Sequence, residues 1–181
     1  MSENKIIVLD VDETIRDMMS PVLKMYNLVH GTKFTKDDID NYDFRNVLTE
    51  IKDMKEYFYN NAEMCFVNSD MFEGTIESLL ELQKMGYHIR ITTNQFKGLE
   101  IFTLYWLNKH TIPYDSIVIT NDKSWVDGEF IVDDNLDMIK SSPCKYKILV
   151  KRAWNKDGWN IYSPITNISE LPAKIKEITG E

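Results

Sequence analysis

The chain has 181 residues, 43% apolar and 12% aromatic, which suits one compact domain with a modest insertion and excludes extended disorder. A formal net charge of −8 opposes binding to a long nucleic acid, whose phosphates need Lys and Arg to displace counterions, but leaves a small phosphorylated metabolite open where a cation and a few basic groups neutralise it locally. No apolar stretch approaches the roughly 20 residues of a membrane span, and Cys65 and Cys144 form no metal-ligand or disulfide pattern, so buried thiols in a reducing, cytoplasmic protein are expected.

Met1-Ser2-Glu3-Asn4-Lys5 lacks the basic start and long apolar centre of a signal peptide. Lys5 to Asp10, KIIVLD, is aliphatic without alternation, as in a strand buried on both faces of a parallel sheet. From about Ile15 to Phe72 the pattern is helical with no convincing strand, and Gly31 is placed to end one helix. Thr75 to Met85, with Leu79, Leu80 and Leu82, reads as a helix that Gly86 should stop. Tyr87 to Thr92 reads as a strand and Leu99 to Lys109, with Phe102, Leu104, Tyr105 and Trp106, as a helix. Ser116–Thr120, Glu129–Val132 and Tyr146–Val150 are further strands, and Gly180 suits a last helix end. Alternating strands and helices indicate an α/β fold around a parallel sheet. The expected division is a core of residues 1–14 and 73–181 with a small helical cap, 15–72, inserted after the first strand.

In open parallel sheets ligands bind beyond the carboxyl ends of the strands, so strand-end residues converge on one crevice. Here those ends carry Asp10 and Asp12, then Thr93 and Asn94, then Lys123 after Asn121-Asp122, then Asp133-Asp134-Asn135. Crowded carboxylates repel unless a cation or proton intervenes. Oxygen ligands with retained waters suit Mg²⁺, and Thr93 and Lys123 supply donors for a phosphate. Alone, Asp12 or Asp133 would read as a helix cap, Lys123 as a solvated lysine and Thr93 as a cap for the next helix. It is the combination that argues for phosphotransfer.

The ordered set Asp10-Val11-Asp12-Glu13-Thr14, Thr93, Lys123 and Asp133-Asp134 resembles the motifs of the haloacid dehalogenase superfamily of phosphohydrolases, over Lys5 to about Trp159. The resemblance implies a Rossmann-like core, Asp10 as the nucleophile that forms an aspartyl-phosphate, and Asp12 as general acid and later base. It further implies Mg²⁺ on the Asp10 carboxylate, the Asp12 carbonyl and Asp133, with Thr93, Asn94 and Lys123 on the phosphoryl group. Asp134 would be a water-mediated ligand or an orienter of Lys123. Receiver domains share acidic residues, Thr and Lys, but accept phosphate on a later strand, whereas here the acidic pair comes last.

Within that superfamily the chain is most similar to the 5'(3')-deoxyribonucleotidases of bacterial and phage type, through Phe72-Glu73-Gly74, Thr93-Asn94-Gln95, Asn121-Asp122-Lys123 and Val132-Asp133-Asp134-Asn135. That implies a nucleoside monophosphate substrate and cap aromatics that enclose its base, for which Tyr42, Phe44 and Phe66 are the candidates; helix packing is the alternative use of these rings. Trp154 and Trp159 either close the rim of the site or, the favoured expectation, cover the last strand. Glu13 stands where these enzymes commonly have Gly, Thr14 where many have Val, and Asn94 where Ser often follows the motif Thr. Asp-x-Asp-Glu-Thr instead resembles phosphatases that act on phosphorylated polymerase tails. A phosphatase for a phosphoprotein, sugar phosphate or nucleic-acid end therefore stays open, as does a catalytically silent metal-dependent binding module, against which the retained Asp12 argues.

Overall fold

The computed structural model describes residues 5–180. Met1-Ser2-Glu3-Asn4, on which the expectation about a signal peptide rests, lies outside them. In chain order the strands are β1 (Ile6–Leu9), β2 (Arg16–Asp17), β3 (Asp70–Met71), β4 (His88–Thr93), β5 (Ser116–Ile119), β6 (Phe130–Asp133), β7 (Tyr146–Val150) and β8 (Ser163–Ile165). The α-helices are α1 (Met19–His30), α2 (Met54–Asn60), α3 (Thr75–Lys84), α4 (Glu100–Lys109), α5 (Leu136–Ser141) and α6 (Leu171–Thr179).

Every residue of β1 is buried, because its two faces feed separate apolar layers. Ile7 and Leu9 pack with Ile89, Ile91, Phe130 and Val132 under α3, α4 and α6, whereas Ile6 and Val8 pack with Ile131 and Leu149 against Ile139 of α5. β1 therefore sits in the middle of a six-stranded sheet of order β5-β4-β1-β6-β7-β8, with all neighbours parallel. The chain runs outward from β1 through β4 to β5, then returns to the other side of β1 as β6. That reversal makes the carboxyl ends of β1 and β6 the switch point, where an open α/β sheet leaves a crevice. The fold is the α/β architecture around a parallel sheet that the alternating pattern predicts, and it is Rossmann-like as the family resemblance implies.

Residues between β1 and α3 build a second apolar cluster of their own. In α1 the buried positions Met19, Val22, Leu23 and Tyr26 follow the i, i+3, i+4, i+7 stripe, and Gly31 ends the helix with φ of 66°. They meet Ile39, Phe44, Leu48, Phe58 and Phe66, with Leu99 and the partly buried Phe102 and Trp154 closing the cluster from the sheet side. The segment also holds strands that its composition conceals: β2 and β3 pair antiparallel where the chain leaves and re-enters the sheet layer. Two residues each are too few to show a period. No helix among the described residues is long and apolar enough to cross a membrane, and Cys65 and Cys144 are buried and unpaired, as expected.

Candidate active site

The turn after β1 is shaped by what it buries. Asp10 N–H continues the ladder to Val132 C=O at 3.0 Å, and the amides of Thr14, Ile15 and Arg16 fold back onto the carbonyl of Val11. Val11 and Ile15 are thereby sunk into the core layer, while Asp10 and Asp12, on either side of Val11, line the crevice. Glu13 completes the turn at φ of 57°, a left-handed conformation that favours Gly.

Asp10 meets Lys123 from the loop after β5. The Lys123 ammonium donates to Asp10 Oδ1 at 2.6 Å and to Asp133 Oδ2 at 2.7 Å, all three groups being buried. Asp133 Oδ1 accepts from Asn135 N–H at 2.7 Å, and the Asn135 side chain in turn caps α5. Asp134 follows at the end of β6, where it accepts from the Trp154 indole at 2.9 Å. Oxygens of Asp10, Asp133 and Asp134 lie within 4.8 Å of one another. Burial, opposed by Lys123 and reinforced by Asp133, pushes the Asp10 carboxyl up to about 7. Burial, then the charges of Asp133 and Asp10, raises Asp134 well above the carboxylate range. Burial also works against the Lys123 ammonium, but the two carboxylates beside it prevail and hold it above the ordinary lysine value. One ammonium among three carboxylates leaves room for further positive charge, and an all-oxygen donor set fits a hard divalent ion.

Asp12 has different company. Arg16 places Nε 2.8 Å and Nη2 2.7 Å from Oδ1, and Gln95 Nε2 donates to Oδ2 at 2.8 Å. Glu13 turns its carboxylate away to accept from Met19 N–H at 2.7 Å and Lys36 at 3.2 Å. Arg152 Nε lies 3.5 Å from Glu13 Oε2 without hydrogen-bond geometry, but its Nη2 donates to the Glu13 carbonyl. Burial raises the Glu13 carboxyl against the pull of these two cations.

The acids open into a cavity of about 180 Å³ lined also by Thr93, Asn94, Tyr42, Phe44, Phe66 and Trp154. The acids, Thr93, Asn94, Lys123 and the three cap aromatics singled out from sequence are thus at this crevice or directly behind it, Lys123 and Asp133 forming the floor under Asp10. Phe44 and Phe66 serve both uses considered for them. They line the cavity and also pack on Phe58, with ring centroids 6.0 and 5.3 Å away. Tyr42 is 57% exposed, yet its phenol is raised well above its ordinary value by burial and by the charges of Asp134 and Asp10, which puts the hydroxyl end on the acidic side of the cavity. The expectation for Trp154 is corrected: it faces the cavity and binds Asp134, because the turn of helix at Ala153–Gly158 directs it toward the cap cluster. Trp159 does cover the sheet layer. Sequence reasoning missed Arg16, Gln95, Lys36 and Arg152; the spacing of four between Asp12 and Arg16 was the one local signal.

Residues 4–163 match the family described as 5' nucleotidase, deoxy (Pyrimidine), cytosolic type C. The chain belongs to this family. Similar proteins include a 5'(3')-deoxyribonucleotidase of Bacillus subtilis, 23% identical over 175 residues, which cover 94% of this chain and 98% of that one. A nucleotidase of Clostridium acetobutylicum is 23% identical over 151 residues, 80% of this chain and 78% of its own. Among solved structures, a haloacid dehalogenase-like hydrolase from Bacteroides fragilis superposes with a TM-score of 0.66 at 16% identity, covering 93% of this chain and all 100% of that one. A magnesium-bound hydrolase of the same type from Bacillus subtilis gives 0.62 at 14% identity, covering 99% and 100%. These structural likenesses establish the fold. Family membership makes this nucleotidase-family chain an enzyme of the phosphomonoester hydrolase class.

Proposed function

We propose that the protein removes phosphate from nucleoside monophosphates, deoxyribonucleotides foremost, through an aspartyl-phosphate on Asp10. The observation that carries this reading is the meeting of a buried Asp10–Lys123–Asp133 triad with an aromatic-walled cavity at the switch point of the sheet. Residues 15–72 serve as the cap that supplies Tyr42, Phe44 and Phe66 to the nucleoside, and residues 1–14 and 73–181 as the core that performs the chemistry.

Asp10 attacks phosphorus while Asp12 protonates the departing ester oxygen; Asp12 then takes a proton from the water that hydrolyses the acyl phosphate. Thr93, Asn94 and Lys123 hold the transferring phosphoryl oxygens, where positioning and charge stabilisation dominate the barrier. Asp10, Asp133 and the Asp12 carbonyl, with Asp134 in support, would hold Mg²⁺, which would neutralise the phosphoryl charge. The buried, unpaired thiols are consistent with a reducing, cytoplasmic setting.

The test is phosphate release from a panel of ribo- and deoxyribonucleoside monophosphates, sugar phosphates and a phosphopeptide, in MgCl₂ and in EDTA. Turnover is expected for nucleotides, only with the metal, and is abolished in Asp10→Asn, which keeps its fold. Exclusive turnover of a sugar phosphate or phosphopeptide would replace the substrate, and full activity of Asp10→Asn would remove the nucleophile.

A further inference from the structure

Arg16 is 0% exposed, a costly place for a guanidinium. Each part of it is bound to a different segment. Nη1 donates to the Phe66 carbonyl at 3.3 Å and Nη2 to Thr103 Oγ1 of α4 at 3.1 Å. Its carbon centre lies 5.1 Å from the Phe66 ring centroid and 5.2 Å from that of Trp106. The remaining edge, Nε with Nη2, is aimed at one atom, Asp12 Oδ1. A side chain gripped by α4, by the π-helical turn Glu63–Val67 and by two rings has no rotamer freedom, so the carboxylate it holds has little.

We propose that Arg16 is the positioning residue for the acid/base Asp12. Its Nε donates to Oδ1 with the Nη2 charge 2.7 Å from the same atom, which occupies Oδ1 and leaves Oδ2 as the atom that exchanges a proton in the crevice. Gln95, which lines the same cavity, meets Oδ2 at 2.8 Å and marks the direction from which the ester oxygen approaches. In the first step the proton on Oδ2 passes to the ester oxygen as its bond to phosphorus breaks and the Asp10–phosphorus bond forms. In the second, Oδ2 takes a proton from the attacking water as the Asp10–phosphorus bond breaks and inorganic phosphate leaves. Filling this interior with an apolar side chain would serve packing as well or better; aiming a carboxylate requires the fork. The inference rests on the role given to Asp12 in the proposed reaction.

Leaving-group dependence separates positioning of an acid from general support of the fold. Thymidine 5'-monophosphate expels an alkoxide that needs the proton, whereas p-nitrophenyl phosphate expels a stabilised phenolate that does not. Arg16→Gln is expected to lower kcat on the nucleotide by about 100-fold with KM little changed, since general acids contribute roughly 10²–10⁴-fold. The loss on the aryl ester is expected to be several times smaller, and Arg16→Lys should recover only part of the nucleotide rate. Near-UV circular dichroism checks the fold, and Thr103→Val, which removes a single anchor, must show the same selectivity at smaller size if Arg16→Gln does not fold. Equal losses on the two esters in a folded variant would overturn the inference alone. No turnover of either ester by the wild type would overturn the reaction and this inference with it.

Discussion

Lys123→Met tests the charge balance of the floor directly. The substitution keeps an unbranched chain of similar length in a buried slot, so packing changes little while one ammonium is lost from between two carboxylates 2.6 and 2.7 Å away. Removing one partner of a buried ion pair costs about 3–5 kcal/mol, because the charge left behind is uncompensated. The cost depends on pH. In the wild type Asp10, pushed up to about 7, is charged at pH of about 8 and gains from the ammonium, whereas at about 5 it holds a proton with or without Lys123 and gains little from it. Urea denaturation in EDTA should therefore show the full loss at the higher pH and a clearly smaller one at the lower. A loss below about 1 kcal/mol at pH 8, or an equal loss at both, would refute the view that Lys123 neutralises this floor.

Two further outcomes follow from the same geometry. The Asp10 carboxyl rises from 3.8 to about 7 on folding, so its stabilising contribution is fully present below about pH 4 and is lost as pH climbs through 7, at most about 4 kcal/mol in the absence of a divalent ion; the Tm difference between MgCl₂ and EDTA should widen across that range, and a constant difference would contradict it. Glu13→Gly relieves a left-handed residue worth about 1–2 kcal/mol but leaves the Met19 N–H without its buried acceptor and takes one of two carboxylates from Lys36, which keeps Asp17, a loss of about 2–3 kcal/mol; a lower Tm is expected, and a higher one would mean that the carboxylate holds nothing.

The sheet was legible because a strand buried on both faces writes itself as an uninterrupted aliphatic run, as in KIIVLD. β8, Ser163-Pro164-Ile165, lacked that signature: it is three residues long, contains proline, and lies at the sheet edge, where a missing amide is tolerated. The same logic divides the site. Asp10, Thr93 and Asp133 end strands, so their convergence follows from the sheet. Arg16 depends on partners 50 and 87 residues away, and Trp154 on a helical turn whose direction no local pattern fixes. Glu13 was visible as a departure from the family pattern, but its reason is tertiary. The left-handed turn that Gly fills without strain is held here by cations from two other segments.

The acids of the turn after β1 are distinguished by their cations, which bears on where the proposed metal would sit. Asp12 is matched by Arg16, and Glu13 by Lys36 with Arg152 beside it. Both have cations of their own, although the charge of Asp12 still acts on Asp10 and that of Glu13 on Asp134. Asp10 and Asp133 share the single ammonium of Lys123, the Asp134 carboxylate beside them accepts from the Trp154 indole, and Asp10 and Asp134 are driven upward by burial and by repulsion from neighbouring carboxylates. A divalent cation entering the crevice would gain most where negative charge is least compensated, so the arginines and lysines that neutralise Asp12 and Glu13 would also direct the proposed Mg²⁺ to Asp10. Arg16 and Lys36 would then act twice: they fix the shape of the turn, and they leave its first aspartate as the point where the proposed metal and phosphate would meet.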